Sequence, residues 1–219
     1  MLKNKWILSI VSLGWFALIA QFYLIIINRT ASIPETIIRY FSFFTILTNL
    51  LVAICFTCLL ISKQKPSAFF SKITTLTAIT VYILIVGIVY NTMLRFLWKP
   101  EGLQKVVDEL LHTVIPILCL IFWWKYVRPQ RLGWSHAYIW LIYPLLYLLY
   151  ILIRGAVSGF YPYPFVDVAT LGYEKVLINS GLLAAAFLIT SFILIAIGRK
   201  AHSNKNNQDT ADRKFFTFS

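Results

Sequence analysis

A histidine, a carboxylate and a hydroxyl in this sequence have the chemistry of nucleophilic catalysis. His112 lies in an apolar stretch and Asp108 precedes it by four residues, which places both on one helix face. A histidine can act as a general base near neutral pH, and a neighbouring carboxylate can orient its ring and stabilise the imidazolium. Thr45 is the best-placed nucleophile: it lies ~13 Å into its apolar stretch, and His112 lies ~15 Å into its own if that helix begins near Gly102. Thr48 stays open as the alternative nucleophile.

Other polar residues lie at a similar depth and predict a substrate cavity around these three. A charged side chain at the bilayer centre costs ~2.5–3.5 kcal/mol, so such groups turn towards each other or towards water. Asn49 or Asn91 could donate a hydrogen bond to an oxyanion, and the arginines could hold an anionic head group. The candidate substrate-binding residues are Arg39, Thr48, Asn49, Asn91, Arg95, Tyr147, Arg154 and Asp167.

Metal and cofactor sites have little support in the sequence. His112 is the only histidine expected inside the membrane, which excludes a haem held by two transmembrane histidines. Cys55 and Cys58 have the spacing of a metal or redox pair, but no second pair or histidine partner lies nearby. We therefore interpret the cysteines as buried apolar groups and predict neither a metal nor a cofactor.

The composition requires that these groups be positioned inside a membrane protein. Of the 219 residues, 59% are hydrophobic, 16% aromatic and only 13% charged. A typical soluble domain is ~45–50% apolar and ~25% charged. The net charge of +12 does not indicate nucleic-acid binding, because the basic residues are divided among short segments between apolar runs. The expected partners are the lipid bilayer and a lipid or lipid-like substrate, and the oligomeric state is left open.

Six apolar stretches are each long enough to cross ~30 Å of hydrocarbon, which predicts an all-α, polytopic membrane protein with six transmembrane helices. We assign residues 1–198 to this transmembrane domain and the polar residues 199–219 to a disordered cytoplasmic tail. Thirteen Lys and Arg residues lie on one side of the spans and four on the other, so both termini are expected in the cytoplasm. The candidate site then lies in the outer half of a cell-membrane protein. The expected spans are approximately residues 6–27, 36–62, 73–97, 107–127, 136–156 and 176–198.

The loop between the fifth and sixth spans, residues 159–173, contains two prolines with four aromatic residues around them. Pro162 and Pro164 fix their own φ and disfavour helix in the residues before them, so the segment is expected to be extended and stiff. It is either an aromatic anchor at the membrane surface or a lid over the cavity, in which Asp167 reaches Arg154 or Arg95.

The run Tyr161-Pro162-Tyr163-Pro164-Phe165-Val166-Asp167, followed by Leu171-Gly172-Tyr173, resembles the hallmark of a bacterial family of six-span membrane proteins. That family is distantly similar to the androgen-induced-gene (AIG) and FAR-type membrane proteins of animals, which hydrolyse fatty acid esters of hydroxy fatty acids. The resemblance implies an intramembrane lipid-ester hydrolase with Thr45, within Phe44-Thr45-Ile46, as nucleophile and His112 as the catalytic histidine. The alternative function is a transporter or binding protein for a small anionic or lipid ligand, held by the arginine and tyrosine cluster.

The charge distribution generates a topology prediction. A cysteine introduced at Ser203 should react with a membrane-impermeant maleimide only from the cytoplasmic side, and one introduced at Thr170 only from outside. The reverse labelling pattern would place the candidate site in the inner half of the membrane.

Overall fold

The structure is a computed structural model, and it describes residues 2–61, 69–127 and 132–216, with side chains as far as residue 200. Within these residues the chain forms helices and no strand. The α-helices are α1 (Leu2–Ile27), α2 (Ile33–Tyr40), α3 (Phe44–Ile61), α4 (Ile73–Thr92), α5 (Gly102–Glu109), α6 (Ile115–Tyr126), α7 (His136–Trp140), α8 (Ile142–Ser158) and α9 (Val168–Phe216).

Six helical segments of the described chain are long and apolar enough to cross a membrane. This confirms the prediction of an all-α, polytopic membrane protein, whereas the direction in which its termini face stays a prediction. The segments are Leu2–Ile27, Phe44–Ile61, Ile73–Phe96, Gly102–Tyr126, His136–Ser158 and Val168–Lys200.

Polar contacts between helices bring one set of helix ends together. The end of α1, the start of α3, the end of α4, the start of α5 and the end of α8 all contribute hydrogen bonds there, and we call this the site end of the bundle. Towards the opposite end, single indole donors connect neighbouring helices, with Trp15 bonding to Thr57 and Trp123 to Thr77 at 3.0 and 2.9 Å. An apolar core of Ile, Val, Leu and Phe side chains fills the space between the two ends.

The second span is shorter than predicted, because the stretch from residue 36 is divided by a break in the helix. Ser32 caps α2 with its side chain, and α2 ends at Tyr40. A new helix, α3, then begins at Phe44. Arg39 and Thr45 therefore lie on two different helices, although their spacing of six residues, two steps of three, would place them along one ridge of a continuous helix. The mixed polar and apolar sequence of α2 is typical of a helix at a membrane surface.

The fourth span begins at Gly102, which is the start that the depth estimate for His112 assumed. The predicted match in depth is nevertheless wrong, because α3 begins at Phe44 and Thr45 lies in its first turn, whereas His112 lies well inside its span. It is interrupted by a π-helical segment, Leu110–Val114, that contains His112. Pro116 follows in the first turn of α6 and has no N–H to donate, so one carbonyl group a turn earlier loses its helical partner. Wider helical turns of this kind are frequent at functional sites.

The loop after α8 is fixed at both ends by local backbone chemistry. Gly159 ends α8 in the left-handed conformation at φ +70°, and Asp167 begins α9. The helix α9 bends at Gly172, where φ is +74°, and continues to Phe216. This helix extends beyond residue 198, where the sequence predicts the boundary of the transmembrane domain, and that boundary and the disordered cytoplasmic tail stay predictions.

The loop packs so closely on α8 that one glycine is required. A Cβ atom at Gly155 would overlap the ring of Tyr161, whereas one at Gly181 in α9 would meet nothing within 4 Å. We expect Gly155→Ala to cost about 1–3 kcal/mol and to lower the melting temperature in detergent by several degrees. Gly181→Ala is the matched control and should leave the melting temperature unchanged or raise it. Equal melting temperatures for the two variants would contradict this packing.

Candidate functional site

The predicted base and its carboxylate partner lie together at the site end. The Nδ1 atom of His112 lies 3.3 Å from the Asp108 carboxylate and 2.9 Å from the Asp108 carbonyl oxygen. Tyr90 in α4 stacks on the imidazole with 3.9 Å between ring centroids, and its hydroxyl donates to the Asp108 carboxylate. Both contacts of His112 to Asp108 use Nδ1, so the ring is oriented with Nε2 as the nitrogen available for proton transfer.

The predicted nucleophile contacts a tyrosine of the loop. The hydroxyl of Thr45 lies 3.3 Å from the Tyr163 hydroxyl, and the Thr45 N–H donates to the same Tyr163 oxygen at 3.2 Å. Thr45 is in the first turn of α3, where a backbone N–H has no helical acceptor. Burial raises the pKa of Tyr163, which therefore carries a neutral hydroxyl.

Two cavities meet at Thr45 and Tyr163. The first, which we call the His112 cavity, has a volume of about 240 Å³ and is bordered by Thr45, Asp108, His112 and Tyr163. The second, which we call the apolar cavity, has a volume of about 90 Å³ and is lined mainly by aliphatic and aromatic side chains of α4, α8 and α9. Thr45 thus lines both a cavity with polar groups and one without a charged side chain.

The two predicted oxyanion donors support the backbone instead. The Nδ2 atom of Asn49 donates to the carbonyls of Thr45 and Leu111, at 2.9 and 3.3 Å. The Nδ2 atom of Asn91 donates to the carbonyls of Gly87 and His112, at 2.8 and 3.2 Å. Leu111 and His112 lie five and four residues before Pro116, whose missing N–H leaves one of these two carbonyls without a helical donor. The asparagine amides donate to both carbonyls. Their amides position His112 and Thr45 and are not directed at a bound oxyanion.

The alternative nucleophile, Thr48, is in a different setting. It is fully buried, and its hydroxyl lies 3.3 Å from that of Tyr143. It borders neither the His112 cavity nor the apolar cavity. Tyr147 does line the apolar cavity, but its hydroxyl donates to the Ser42 carbonyl at 2.8 Å, so its ring rather than its polar atom faces the cavity.

The predicted anion-binding arginines are each paired with a glutamate. Arg95 makes an ion pair of 2.6 Å with Glu109 and also donates to Thr113. Glu35 accepts from both Arg39 and Arg154, at 2.8 Å each. None of the three arginines borders either of these cavities.

Glu35 and Arg154 also fix the loop that carries Tyr163. Arg154 is 8% exposed and donates to the Phe160 carbonyl at 3.2 Å, while the Phe160 ring lies under the guanidinium groups of Arg39 and Arg154. The hydrogen bond from Arg39, together with that from Arg154, lowers the pKa of Glu35 below its ordinary value of 4.5. The loop therefore lies over the site end, held by a carboxylate shared between two arginines.

Asp167 does not make the contact that the sequence suggested. Its carboxylate accepts from the N–H groups of Ala169 and Thr170, at 3.0 and 3.2 Å, and from the Thr170 hydroxyl at 2.8 Å. These are the contacts of a helix N-cap, which a short carboxylate at a helix start makes readily. The prediction that Asp167 reaches Arg154 or Arg95 is therefore wrong, and the residue that inserts from the loop is Tyr163.

Sequence reasoning assigned no role to several residues of the site. The i, i+4 spacing of Glu35 and Arg39 could have indicated their pairing. No local sequence pattern indicated the contacts of Tyr90 and Tyr163, because each contact joins residues that are far apart in the sequence. The residues without a predicted role are Gln21, Glu35, Tyr90, Gln104, Glu109 and Tyr163.

Among the described residues, no group of three His, Cys, Asp or Glu side chains is arranged to hold a metal ion. No protein-family profile, no curated protein and no solved structure matches the chain. The resemblance to the bacterial six-span family and to the animal lipid hydrolases therefore stays a prediction, and the site must be interpreted from its own geometry.

The pairing of Glu35 generates a prediction with a defined pH dependence. Glu35→Gln should lower the melting temperature by about 2–4 °C at pH 7, the shift expected for the loss of ~1 kcal/mol in a chain of this size. Because the pKa of Glu35 is lower in the folded state, its contribution is complete above about pH 4.5 and is lost as the pH falls through the folded pKa. The difference in melting temperature between wild type and Glu35→Gln should therefore shrink below pH 4.5. Glu101→Gln, at an exposed position, is the control and should show no such difference.

Proposed function

We propose that this protein is an intramembrane hydrolase of lipid esters, located in the cell membrane, with Thr45 as nucleophile and His112 as general base. The observation that carries the proposal is that Thr45 and His112 border one cavity while Asp108 orients the histidine through Nδ1. A hydroxyl, a base and a group that orients the base are the parts that nucleophilic acyl transfer requires.

The proposed reaction has two halves. The Thr45 hydroxyl attacks the ester carbonyl carbon, its proton passes to Nε2 of His112, and the carbonyl electron pair moves to oxygen. The alcohol then leaves with the proton from His112, and water hydrolyses the acyl-threonine by the reverse sequence of proton transfers. Asp108 stabilises the imidazolium that forms in each half of the reaction.

The Thr45 N–H is the proposed oxyanion donor, since the amides of Asn49 and Asn91 are committed to carbonyl groups. It lies at the start of α3 beside the attacking oxygen, and it already binds an oxygen atom, that of Tyr163. Substrate binding would move the Tyr163 hydroxyl away, so that the ester carbonyl oxygen takes its place. The loop is in this proposal a lid over the site, as one of its two sequence interpretations suggested.

The cavities support a lipid substrate. The apolar cavity adjoins Thr45 and is lined by side chains such as Leu148, Leu183 and Phe187, which would contact the first methylene groups of an acyl chain. The transporter alternative depended on arginines that bind an anionic ligand, and the pairing of Arg39, Arg95 and Arg154 with glutamates gives it less support.

Labelling of the purified protein with a fluorophosphonate tests the nucleophile. Wild type and Thr45→Ser should form a covalent adduct, Thr45→Ala should form none, and His112→Ala should react at least about 100-fold more slowly. Thr48→Ala is the matched control and should label like wild type, because Thr48 borders neither cavity. Equal labelling of wild type and Thr45→Ala would refute Thr45 as nucleophile.

A further inference from the structure

The His112 cavity contains few charged groups. Asp108 and His112 are the only ionisable side chains other than tyrosines among the described residues that line it. Arg95 pairs with Glu109 and does not line this cavity. A ligand with a carboxylate or phosphate in this cavity would find no guanidinium or ammonium partner and would face the carboxylate of Asp108.

Two glutamine amides form the uncharged polar part of the cavity. Gln104 in α5 donates from Nε2 to Oε1 of Gln21 in α1 at 2.9 Å, and both side chains line the His112 cavity. Each amide has two donors and an acceptor with two lone pairs, and this single hydrogen bond uses one donor and one lone pair. The pair therefore has donors and acceptors left for a ligand, in the same cavity as Thr45.

Hydroxyl groups match such a pair better than any ionised group. A hydroxyl donates to an amide oxygen and accepts from an amide N–H, and it brings no charge that would have to be desolvated beside Asp108. A site built to hydrogen-bond a substrate hydroxyl discriminates strongly against analogues that cannot make the bond.

We infer that the His112 cavity binds the alcohol part of an ester whose head group is uncharged and carries free hydroxyls, with Gln21 and Gln104 as its hydrogen-bond partners. The glycerol end of a monoacylglycerol has this chemistry, and the first methylene groups of its acyl chain would enter the apolar cavity on the other side of Thr45. This inference rests on the proposed hydrolase function and specifies its substrate. It differs from the substrate implied by the family resemblance, which carries a free carboxylate.

The test compares two substrates that differ by one phosphate group. Purified protein in detergent is assayed with 1-oleoylglycerol and with 1-oleoyl lysophosphatidic acid, and release of oleate is measured. We expect kcat/KM to be at least about tenfold higher for 1-oleoylglycerol. Gln104→Leu should raise the KM for 1-oleoylglycerol about tenfold with kcat changed much less, because the binding contact lies away from the reacting carbonyl. Gln21→Leu should act in the same direction.

Two further variants separate specificity from folding. Gln104→Lys places a cation in the cavity and should shift the preference towards lysophosphatidic acid. Lys105→Leu, at the next and exposed position of α5, should leave both substrates unaffected. Melting temperature and gel-filtration profile are measured for each variant, so that a misfolded protein is recognised.

The outcomes distinguish this inference from the function on which it rests. Hydrolysis of p-nitrophenyl butyrate that is abolished by Thr45→Ala supports the hydrolase. If that activity is present but the wild type prefers lysophosphatidic acid, or Gln104→Lys leaves the preference unchanged, the inference is wrong and the hydrolase stands. If no ester is hydrolysed in a Thr45-dependent manner, both are wrong.

Discussion

A bilayer solvates charges and unpaired hydrogen-bonding groups poorly, and most polar groups at the site end are paired with one another accordingly. Among the described side chains there, the buried Asn49 Oδ1 and Arg154 Nε atoms have no hydrogen-bond partner. Glu35 is shared by Arg39 and Arg154, and Arg95 is paired with Glu109. The Glu35–Arg39 pair lies within α2. The Glu35–Arg154 and Arg95–Glu109 pairs join residues of different elements. The arginines therefore act mainly as links between helices and the loop, and much of the positive charge near the site is neutralised before any ligand binds.

The same constraint determines how the catalytic candidates are positioned. Pro116 removes a backbone donor, and the carbonyls of Leu111 and His112 are then satisfied by Asn49 from α3 and Asn91 from α4. One proline thus connects the histidine segment to two other spans. Proline inside a transmembrane helix is tolerated where neighbouring groups satisfy the freed carbonyls, and here those groups are asparagines next to the nucleophile and the base.

How much the sequence could predict depends on how far apart along the chain the interacting residues lie. Apolar length predicted the six spans, and the i, i+4 spacing of Asp108 and His112 predicted a contact that the structure contains. The break between α2 and α3 was missed, because hydropathy alone continues through it. The insertion of Tyr163 beside Thr45 joins residues 118 positions apart, and no local pattern carries that information. The stiffness of the loop could be predicted from its prolines, whereas the contact of its Tyr163 side chain with Thr45 could not.

The groups that remain for chemistry are those that the structure does not use for its own support. Asparagine amides, arginines and Asp167 are committed to carbonyls, glutamates or a helix start. The His112 cavity is lined by Thr45, His112, Gln21 and Gln104, together with Asp108 and Tyr163. The proposed nucleophile and base, with neutral hydrogen-bonding groups beside a cavity lined by aliphatic side chains, suit an uncharged ester better than they suit an ion. Selection by polarity rather than by charge agrees with the lipid substrate proposed for this site.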